Sequence, residues 1–371
     1  MHRVKNKTLF LDPDHPAEWP TAHTSYEADT LTFCRAWLSG QTAFILHTSG
    51  STGTPKPIRL TRSQMQASAH LTGQTLELRA GDAALVCLNT HYVAGVMMLV
   101  RGLELGLPMT IIEPVGNPLI DFDADTTQLA FTALVPLQLQ SILESTPEKR
   151  VILNRMKAIL VGGAATSPAL EQALQIITSP VYATYGMTET VSHIALRQLN
   201  GAERSEVFTA LDGVTLGTDT RGCLHITSAA TNFERVQTND VVDLLDKTRF
   251  RLLGRADRII NSGGIKVQPE RIEEIIQGAL AQRKQHADDP IPRLFVAGLP
   301  DERLGQRVVV FFEQRARERI HNDEWTIIQE IVRTQLGPFS MPKEMITVAE
   351  FAETATGKVD QKATIAQIHY L

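Results

Sequence analysis

Short apolar runs alternate with amphipathic segments of helical length through the first half of the chain, and this alternation restricts the possible folds most. The sequence predicts buried strands at 43–47, 83–88, 109–112 and 158–161, and helices at 62–76 and 93–105. Strands that alternate with helices usually form parallel pairs, because a helix carries the chain back across the sheet between them. The pattern therefore predicts an α/β domain with a mostly parallel sheet.

The pattern changes after about residue 249, and the last third of the chain predicts a smaller unit. Its elements are a glycine pair at 263–264, a helix at 272–280, strands at 294–298 and 308–312, and a helix at 325–336. Glutamates on the first turns of the 272–280 helix suit the helix dipole. We therefore expect a large N-terminal domain, 1–256, and a small mobile α+β domain, 257–371, with a hinge near Asp257.

Composition excludes several classes of protein. The chain has 371 residues, of which 43% are hydrophobic and 21% charged, with a formal net charge of −5. These values are typical of a soluble globular protein, and the acidic total argues against one that coats nucleic acid. The apolar run 93–100 stops at Arg101, too short to cross a bilayer, and no apolar stretch follows the basic N-terminus. We expect a cytoplasmic protein with neither nucleic-acid partners nor membrane insertion.

The cysteines and histidines give no case for a disulfide or a metal site. Cys34, Cys87 and Cys223 are odd in number and form no C-x-x-C pair, and the eleven histidines lack metal-ligand spacing. Buried thiols are the simpler interpretation. No tightly bound cofactor is therefore expected.

A loop rich in glycine and hydroxyl residues follows the first predicted strand. Its candidate ligand-binding residues are Thr48, Ser49, Gly50, Ser51, Thr52, Gly53 and Lys56. Glycines let backbone N–H groups approach an anion, hydroxyls add donors, and a lysine neutralises phosphate charge. Pro55 stands where a Walker loop has glycine, so the loop predicts phosphate binding of another kind.

Five motifs in the same order resemble those of the adenylate-forming acyl-CoA synthetases and ligases. They are TSGSTGTPK at 48–56, YGMTE at 185–189, TND at 238–240, GRADR with SGGIK at 254–266, and TATGK at 354–358. The chain is therefore identified as a member of that family. The resemblance implies a large α/β domain, a small mobile domain, and the use of ATP, Mg²⁺, CoA and a small carboxylic acid.

The resemblance also implies roles for individual residues. The loop at 48–56 would bind the ATP phosphates. Adenine and ribose would lie against Gly163, Ala164, Tyr185, Gly186, Asp240 and Arg255, with the Tyr185 ring stacked on adenine. Catalysis would fall to Lys358, Thr188 and Glu189, with Glu189 also binding Mg²⁺. Asp257 would be the hinge, and Gly263, Gly264 and Lys266 would line the CoA tunnel.

Three features depart from the family pattern. Only 47 residues precede Thr48, which predicts a reduced N-terminal region. Asn239 replaces the glycine before the ribose aspartate, and asparagine tolerates positive φ better than most residues. At the acyl pocket, His91 and Tyr92 stand in transposed order, so either side chain could face the acid.

Two longer segments, 185–194 and 256–267, most resemble short o-succinylbenzoate–CoA ligases of menaquinone synthesis. Such a substrate keeps a second carboxylate, so the pocket should hold a second anion. The polar candidates are Ser192, His193, Arg197 and His91.

Other functions remain open from the sequence. They are a ligase for another aryl or acyl acid, an adenylating enzyme that loads a carrier protein, and a nucleotide-binding protein without catalysis. A homodimer is compatible with the resemblance.

Overall fold

The computed structural model describes residues 8–47, 57–282, 292–313, 320–354 and 359–368. Among them, no helix has both the length and the apolar character needed to span a bilayer. The phosphate loop (Thr48, Ser49, Gly50, Ser51, Thr52, Gly53 and Lys56) and the catalytic candidate Lys358 lie outside these residues. Their roles stay predictions.

The described residues up to Arg255 form a large unit, which contains one long sheet and a separate two-stranded hairpin. Its strands are β1 (Thr8–Leu11), β2 (Ala43–His47), β3 (Pro57–Thr61), β4 (Ala84–Val86), β5 (Met109–Ile112), β6 (Phe131–Leu134), β7 (Ala158–Val161), β8 (Val181–Gly186), β9 (His193–Gln198), β10 (Phe208–Ala210), β11 (Thr215–Thr218), β12 (Cys223–Thr227), β13 (Val236–Leu244) and β14 (Arg249–Arg255). Its helices are α1 (Ser25–Leu38), α2 (Arg62–Thr75), α3 (Val93–Leu105), α4 (Pro136–Ser145), α5 (Arg150–Leu153) and α6 (Pro168–Ala173).

The strand order in the long sheet is β1-β5-β4-β6-β7-β8-β9-β10-β14-β13-β12-β11. Strands β5, β4, β6, β7 and β8 are parallel, and antiparallel strands extend the sheet on both sides. This confirms the α/β class, but the sheet is mixed rather than mostly parallel. The reason lies in the connections, because short turns such as the one between β8 and β9 can join only antiparallel strands.

The strand order reverses between β4 and β6. Strand β5 lies on the far side of β4, whereas β7 and β8 follow β6 on the other side. At such a switch point the connections leave in opposite directions and open a crevice at the carboxyl ends of the strands. The segment after β4 carries His91 and Tyr92, and the segments after β7 and β8 carry Gly163 and Glu189. The topology therefore gathers these candidates at one edge of the sheet.

A hairpin of β2 and β3 holds both ends of the phosphate loop. His47 pairs with Pro57 at its open end, and Thr61 begins α2 with a capping box shared with Gln64. Apolar side chains of the hairpin pack with Trp37 and with α2 and α3. The loop at 48–56 thus starts and ends on a packed element of the large unit.

A second sheet with its own core forms the small unit. Its elements are β15 (Ile260–Ser262), β16 (Ile265–Val267), α7 (Pro269–Gln282), β17 (Leu294–Asp301), β18 (Gly305–Glu313), α8 (Asn322–Leu336), β19 (Glu344–Val348) and α9 (Gln361–Ile368). The chain leaves the long sheet at Arg255 and enters the second sheet at Ile260. The expected hinge, Asp257, lies in the turn between them.

Candidate active site

The turn between β8 and β9 carries the expected catalytic pair. The backbone of Gly186 packs so closely on Ser192 and His193 that a Cβ would overlap them, which explains the glycine. Thr190 closes the turn, accepting from Met187 N at 3.0 Å and donating to the Ser192 carbonyl at 2.8 Å. No role for Thr190 was evident from its position in the sequence. Its two bonds hold the turn that presents Thr188 and Glu189.

Thr188 and Glu189 differ in exposure. Thr188 is buried, whereas Glu189 is exposed and makes no hydrogen bond or ion pair with the described residues. A carboxylate with all its acceptor sites open is a suitable ligand for a hard cation such as Mg²⁺. In the part of the chain described, no three His, Cys, Asp or Glu side chains are grouped to hold a metal by themselves.

The adenine candidates lie at the ends of neighbouring parallel strands. Gly163 and Ala164 follow β7 and are exposed, and Gly163 has φ of 84°, a conformation that favours glycine. A Cβ at position 162 would overlap the Thr184 hydroxyl. The absence of a side chain at Gly162 therefore lets the end of β7 lie close to β8. An exposed backbone edge results next to Tyr185.

The Tyr185 ring is packed inside the protein, whereas the sequence predicts a ring that stacks on adenine. The side chain is only 7% exposed, and its ring packs at 5.1 Å from Phe250 and 5.8 Å from Phe208. Most of the ring is therefore covered by protein. Its hydroxyl donates to Asp240 Oδ2 at 2.6 Å, and burial together with this carboxylate raises the pKa of Tyr185.

Asp240 lies at the start of a chain of polar contacts that reaches the hinge. Asp240 and Arg255 are opposite each other in β13 and β14, and Arg255 Nη1 donates to Asp240 Oδ1 at 3.2 Å. The same guanidinium binds Asp257 through two hydrogen bonds of 2.9 and 2.8 Å. This pair lowers the pKa of Asp257. The ribose candidates and the hinge are thus directly connected.

At the acyl pocket, the two transposed residues face different ways. The His91 ring is more than half exposed and lies 3.6 Å from Asp29 of α1. Tyr92 is partly buried where α3 begins. Gly95 packs on the Asn89 carbonyl without space for a side chain. The geometry turns His91 toward α1 and leaves Tyr92 as the residue nearer the interior.

Arg197 was a wrong candidate for a second anion. Its Nη2 donates to Glu171 Oε1 at 2.6 Å, its Nη1 donates to the Ser205 carbonyl, and Arg204 also approaches Glu171. Arg197 already has a carboxylate partner inside the protein. It also lies four residues beyond His193 along β9, which places it about 13 Å farther along the strand.

The buried cation beside Ser192 is Arg101, which in the sequence only marks the end of an apolar run. Arg101 is 2% exposed, and its Nη2 donates to Ser192 Oγ at 2.6 Å. Its Nε has no hydrogen-bond partner, and no carboxylate of the described residues pairs with it. Burial lowers the pKa of Arg101 to about 9, so the group is still charged at neutral pH. The signal available in the sequence was an arginine inside an apolar helix, in which residues 95–102 are all buried.

Ser192 accepts a hydrogen bond from Arg101, and both Ser192 and His193 make further hydrogen bonds within the protein. Ser192 Oγ lies 3.3 Å from His193 Nδ1, and His193 Nε2 lies 3.2 Å from the Thr72 hydroxyl of α2. Burial and the Arg101 charge lower the pKa of His193 well below its ordinary value. His193 is therefore neutral at physiological pH.

The predicted CoA loop is the hairpin of β15 and β16. Gly263, Gly264 and Lys266 are exposed, and both glycines have positive φ, 57° and 81°. The Phe339 ring occupies the space that a Cβ of Gly263 would need. The loop therefore offers an exposed backbone surface with an aromatic wall.

These features define a class of protein: a doubly wound domain with a crevice at its switch point, joined to a small domain by a polar turn, as in adenylate-forming enzymes. The AMP-binding enzyme family matches residues 2–216, and the C-terminal domain of AMP-binding enzymes matches residues 287–358. The chain belongs to the AMP-binding enzyme family.

Individual relatives support the same assignment. A 2-succinylbenzoate–CoA ligase from Listeria monocytogenes is 26% identical over 357 residues, covering 92% of this chain and 73% of that protein. A structure described as acyl-CoA synthetase (AMP-forming)/AMP-acid ligase II-like protein, from Dyadobacter fermentans, is 40% identical, with a TM-score of 0.65; the match covers 98% of this chain and all of that one. The o-succinylbenzoate coenzyme A synthetase from Bacillus subtilis, in complex with ATP and magnesium ion, shares the fold at 19% identity, with a TM-score of 0.70 over 86% of this chain and 69% of that one.

Proposed function

We propose that the enzyme is an ATP-dependent acid–CoA ligase that converts o-succinylbenzoate to its CoA thioester, a step of menaquinone synthesis. The observation that carries the choice of acid is the buried cation Arg101. A charged group out of water costs several kcal/mol unless it is paired. An acid that brings a second carboxylate would supply the missing partner, and o-succinylbenzoate has one on its ring. The name of the Listeria relative supports the same acid.

The first half-reaction joins the acid to AMP. The succinyl carboxylate attacks the α-phosphorus of ATP, forming a carboxyl–phosphate bond as pyrophosphate leaves. The loop at 48–56 and Lys358 would neutralise charge on the phosphates, and the Thr188 hydroxyl would donate to the α-phosphate. Mg²⁺ at Glu189 would bind phosphate oxygens and offset their charge.

The second half-reaction transfers the acyl group. The small unit turns about Asp257, Lys358 leaves the site, and the loop with Gly263 and Gly264 enters it. The CoA thiolate attacks the acyl carbon, a thioester forms, and AMP leaves. The direct link from Asp240 through Arg255 to Asp257 supports a hinge that lies close to the bound ribose.

The direct test is to incubate the protein with ATP, Mg²⁺, CoA and o-succinylbenzoate and to detect the thioester by mass spectrometry. Pyrophosphate release should be screened in parallel over aryl and aliphatic acids, with and without CoA. Thioester formation with o-succinylbenzoate far above the other acids supports the proposal. A better acid in the screen contradicts this choice of substrate, and adenylation without transfer to CoA favours a carrier-loading enzyme.

Replacing Arg101 by methionine should separate its role in binding from any role in folding. We expect kcat/KM for o-succinylbenzoate to fall roughly tenfold to a hundredfold, the value of one charge-assisted hydrogen bond. The value for 4-phenyl-4-oxobutanoate, which lacks the ring carboxylate, should stay unchanged. The melting temperature should hold or rise, because an apolar side chain replaces an unpaired buried charge.

Arg197→Met is the matched control for Arg101→Met. It leaves Glu171 without its closest cation, so it should lower the melting temperature. It should not change the ratio of kcat/KM between the two acids. An equal loss for both acids in Arg101→Met would contradict the second-anion site.

A further inference from the structure

A row of hydrogen bonds connects α2, the start of β9 and α3. It runs from the Ser68 carbonyl to the Thr72 hydroxyl at 3.0 Å, then to His193 Nε2 at 3.2 Å. From His193 Nδ1 it continues to Ser192 Oγ at 3.3 Å and on to Arg101 Nη2 at 2.6 Å. Thr72, His193 and Arg101 are each less than a tenth exposed. We call these four side chains, Thr72, His193, Ser192 and Arg101, the buried relay.

Only one placement of protons gives both hydroxyls and the ring N–H of the buried relay an acceptor. Arg101 can only donate, so Ser192 Oγ accepts from it. The Ser192 hydroxyl then donates to His193 Nδ1, His193 Nε2–H donates to Thr72, and Thr72 donates to the Ser68 carbonyl. In the opposite tautomer, His193 Nδ1–H would point at Ser192, whose own proton would then lack an acceptor in the relay. The geometry therefore fixes His193 as the Nε2–H tautomer.

This direction of hydrogen bonding decides which groups can still bind a substrate. The Ser192 hydroxyl donates to His193, and the His193 ring N–H donates to Thr72, so neither residue has a donor left for a substrate. In Arg101, Nη2 is held by Ser192 and Nη1 has only Met98 Sδ at 3.8 Å, while Nε has no partner. The guanidinium is thus held at Nη2, while its Nε lies buried without a hydrogen-bond partner.

We propose that Thr72, His193 and Ser192 are positioning residues that orient Arg101 and thereby set the preference for acids with a second carboxylate. This inference rests on the proposed function. A flexible arginine loses side-chain entropy when it binds an anion, and a side chain that is already fixed loses less. The three residues would act through Arg101 without contacting the acid.

Thr72→Val tests the far end of the relay, because valine keeps the shape and removes the hydroxyl. His193 Nε2–H then has no acceptor, which favours the Nδ1–H tautomer. That proton competes with Arg101 for Ser192 Oγ. We expect the ratio of kcat/KM for o-succinylbenzoate over 4-phenyl-4-oxobutanoate to fall about tenfold through KM of the first acid. The ¹⁵N shifts of the His193 ring should report the change of tautomer.

Three further variants complete the experiment. Thr72→Ser should keep the wild-type ratio within about twofold, because it keeps the hydroxyl. Thr132→Val is the matched control: Thr132 is also fully buried and donates to a carbonyl, Leu85 O at 3.0 Å, but in β6 outside the relay. Its ratio should equal that of the wild type. Ser192→Ala removes the Arg101 acceptor from the other end and should lower the ratio as Thr72→Val does, which keeps the test usable if one variant fails to fold.

The outcomes separate this inference from the proposed function. If the wild-type enzyme has nearly the same kcat/KM for o-succinylbenzoate and for 4-phenyl-4-oxobutanoate, the proposed acid is wrong, and with it the second-anion site. A high wild-type ratio that Thr72→Val and Ser192→Ala leave unchanged contradicts the positioning role alone. A loss in Thr132→Val equal to that in Thr72→Val would also overturn it, because the effect would then belong to any buried threonine.

Discussion

Lys358→Ala is expected to remove nearly all acyl-adenylate formation while leaving thioester formation from preformed adenylate largely intact. Charge develops on the carboxylate and the α-phosphate only in the first half-reaction. Loss of one positioned charge typically costs about a hundredfold to a thousandfold in rate. The role proposed for Lys358 rests on the resemblance of the TATGK motif, which lies at the end of the match to the C-terminal domain of AMP-binding enzymes.

The described residues on both sides of this motif belong to the small unit. Glu353 and Val359 pair in an isolated bridge, and Glu353 also binds Arg293 at 2.7 Å. Asp360 N donates to the Ala352 carbonyl at 2.7 Å. The two ends of the segment at 354–358 are therefore held together on the small unit. A rotation of that unit would move Lys358 with it.

The two half-reactions are measured separately. Pyrophosphate exchange into ATP reports adenylation, and synthetic o-succinylbenzoyl adenylate with CoA reports transfer. Lys362→Ala is the matched control, since it removes one exposed lysine of α9 four residues further on. It should leave both rates unchanged. Equal losses in both half-reactions for Lys358→Ala would contradict the assigned role.

The parallel part of the fold could be predicted because each element has a local signal. Apolar runs at 109–112 and 158–161 have the same bounds as β5 and β7, and Thr61 caps α2 with a capping box. The antiparallel strands β10 to β14 gave weaker signals. They are short or half exposed, so their pattern is difficult to separate from that of loops. Their pairing depends on contacts distant in sequence, such as Phe208 opposite Phe250.

In the site, too, residues in contiguous motifs could be predicted, whereas residues that matter through contacts distant in sequence could not. The motif residues could be found because their chemistry lies in short contiguous segments. Arg101 and Thr72 could not, because their importance comes from contacts with Ser192 and His193 about a hundred residues away. Arg197 shows the opposite error. It is near His193 in sequence, but the extended strand separates the two side chains and brings Arg197 to Glu171 instead.

The hinge gives the second large expected effect. Asp257 is the third residue of a turn closed by the hydrogen bond from Arg258 N to the Arg255 carbonyl, at 3.1 Å. Proline would fix φ near −65°, and at the third position of such a turn it disfavours the helical conformation of the residue before it. Asp257→Pro should therefore restrict the linker to one set of torsions. A restricted linker can support one arrangement of the two units but not the alternation between them.

We expect Asp257→Pro to retain pyrophosphate release in a single turnover and to slow thioester formation by about a hundredfold or more. The first arrangement should survive because ATP and the acid bind before CoA. Asp257→Ala is the control for the lost carboxylate: its pair with Arg255 is nearly half exposed, and such pairs contribute less than about 1 kcal/mol. Both steps should then stay within about fivefold of wild type. If proline leaves transfer to CoA unchanged, the pivot lies elsewhere in the turn, and Ala256 and Arg258 are the neighbours to substitute. If alanine slows transfer as strongly as proline does, the ion pair with Arg255, and not the backbone torsion, controls the rotation.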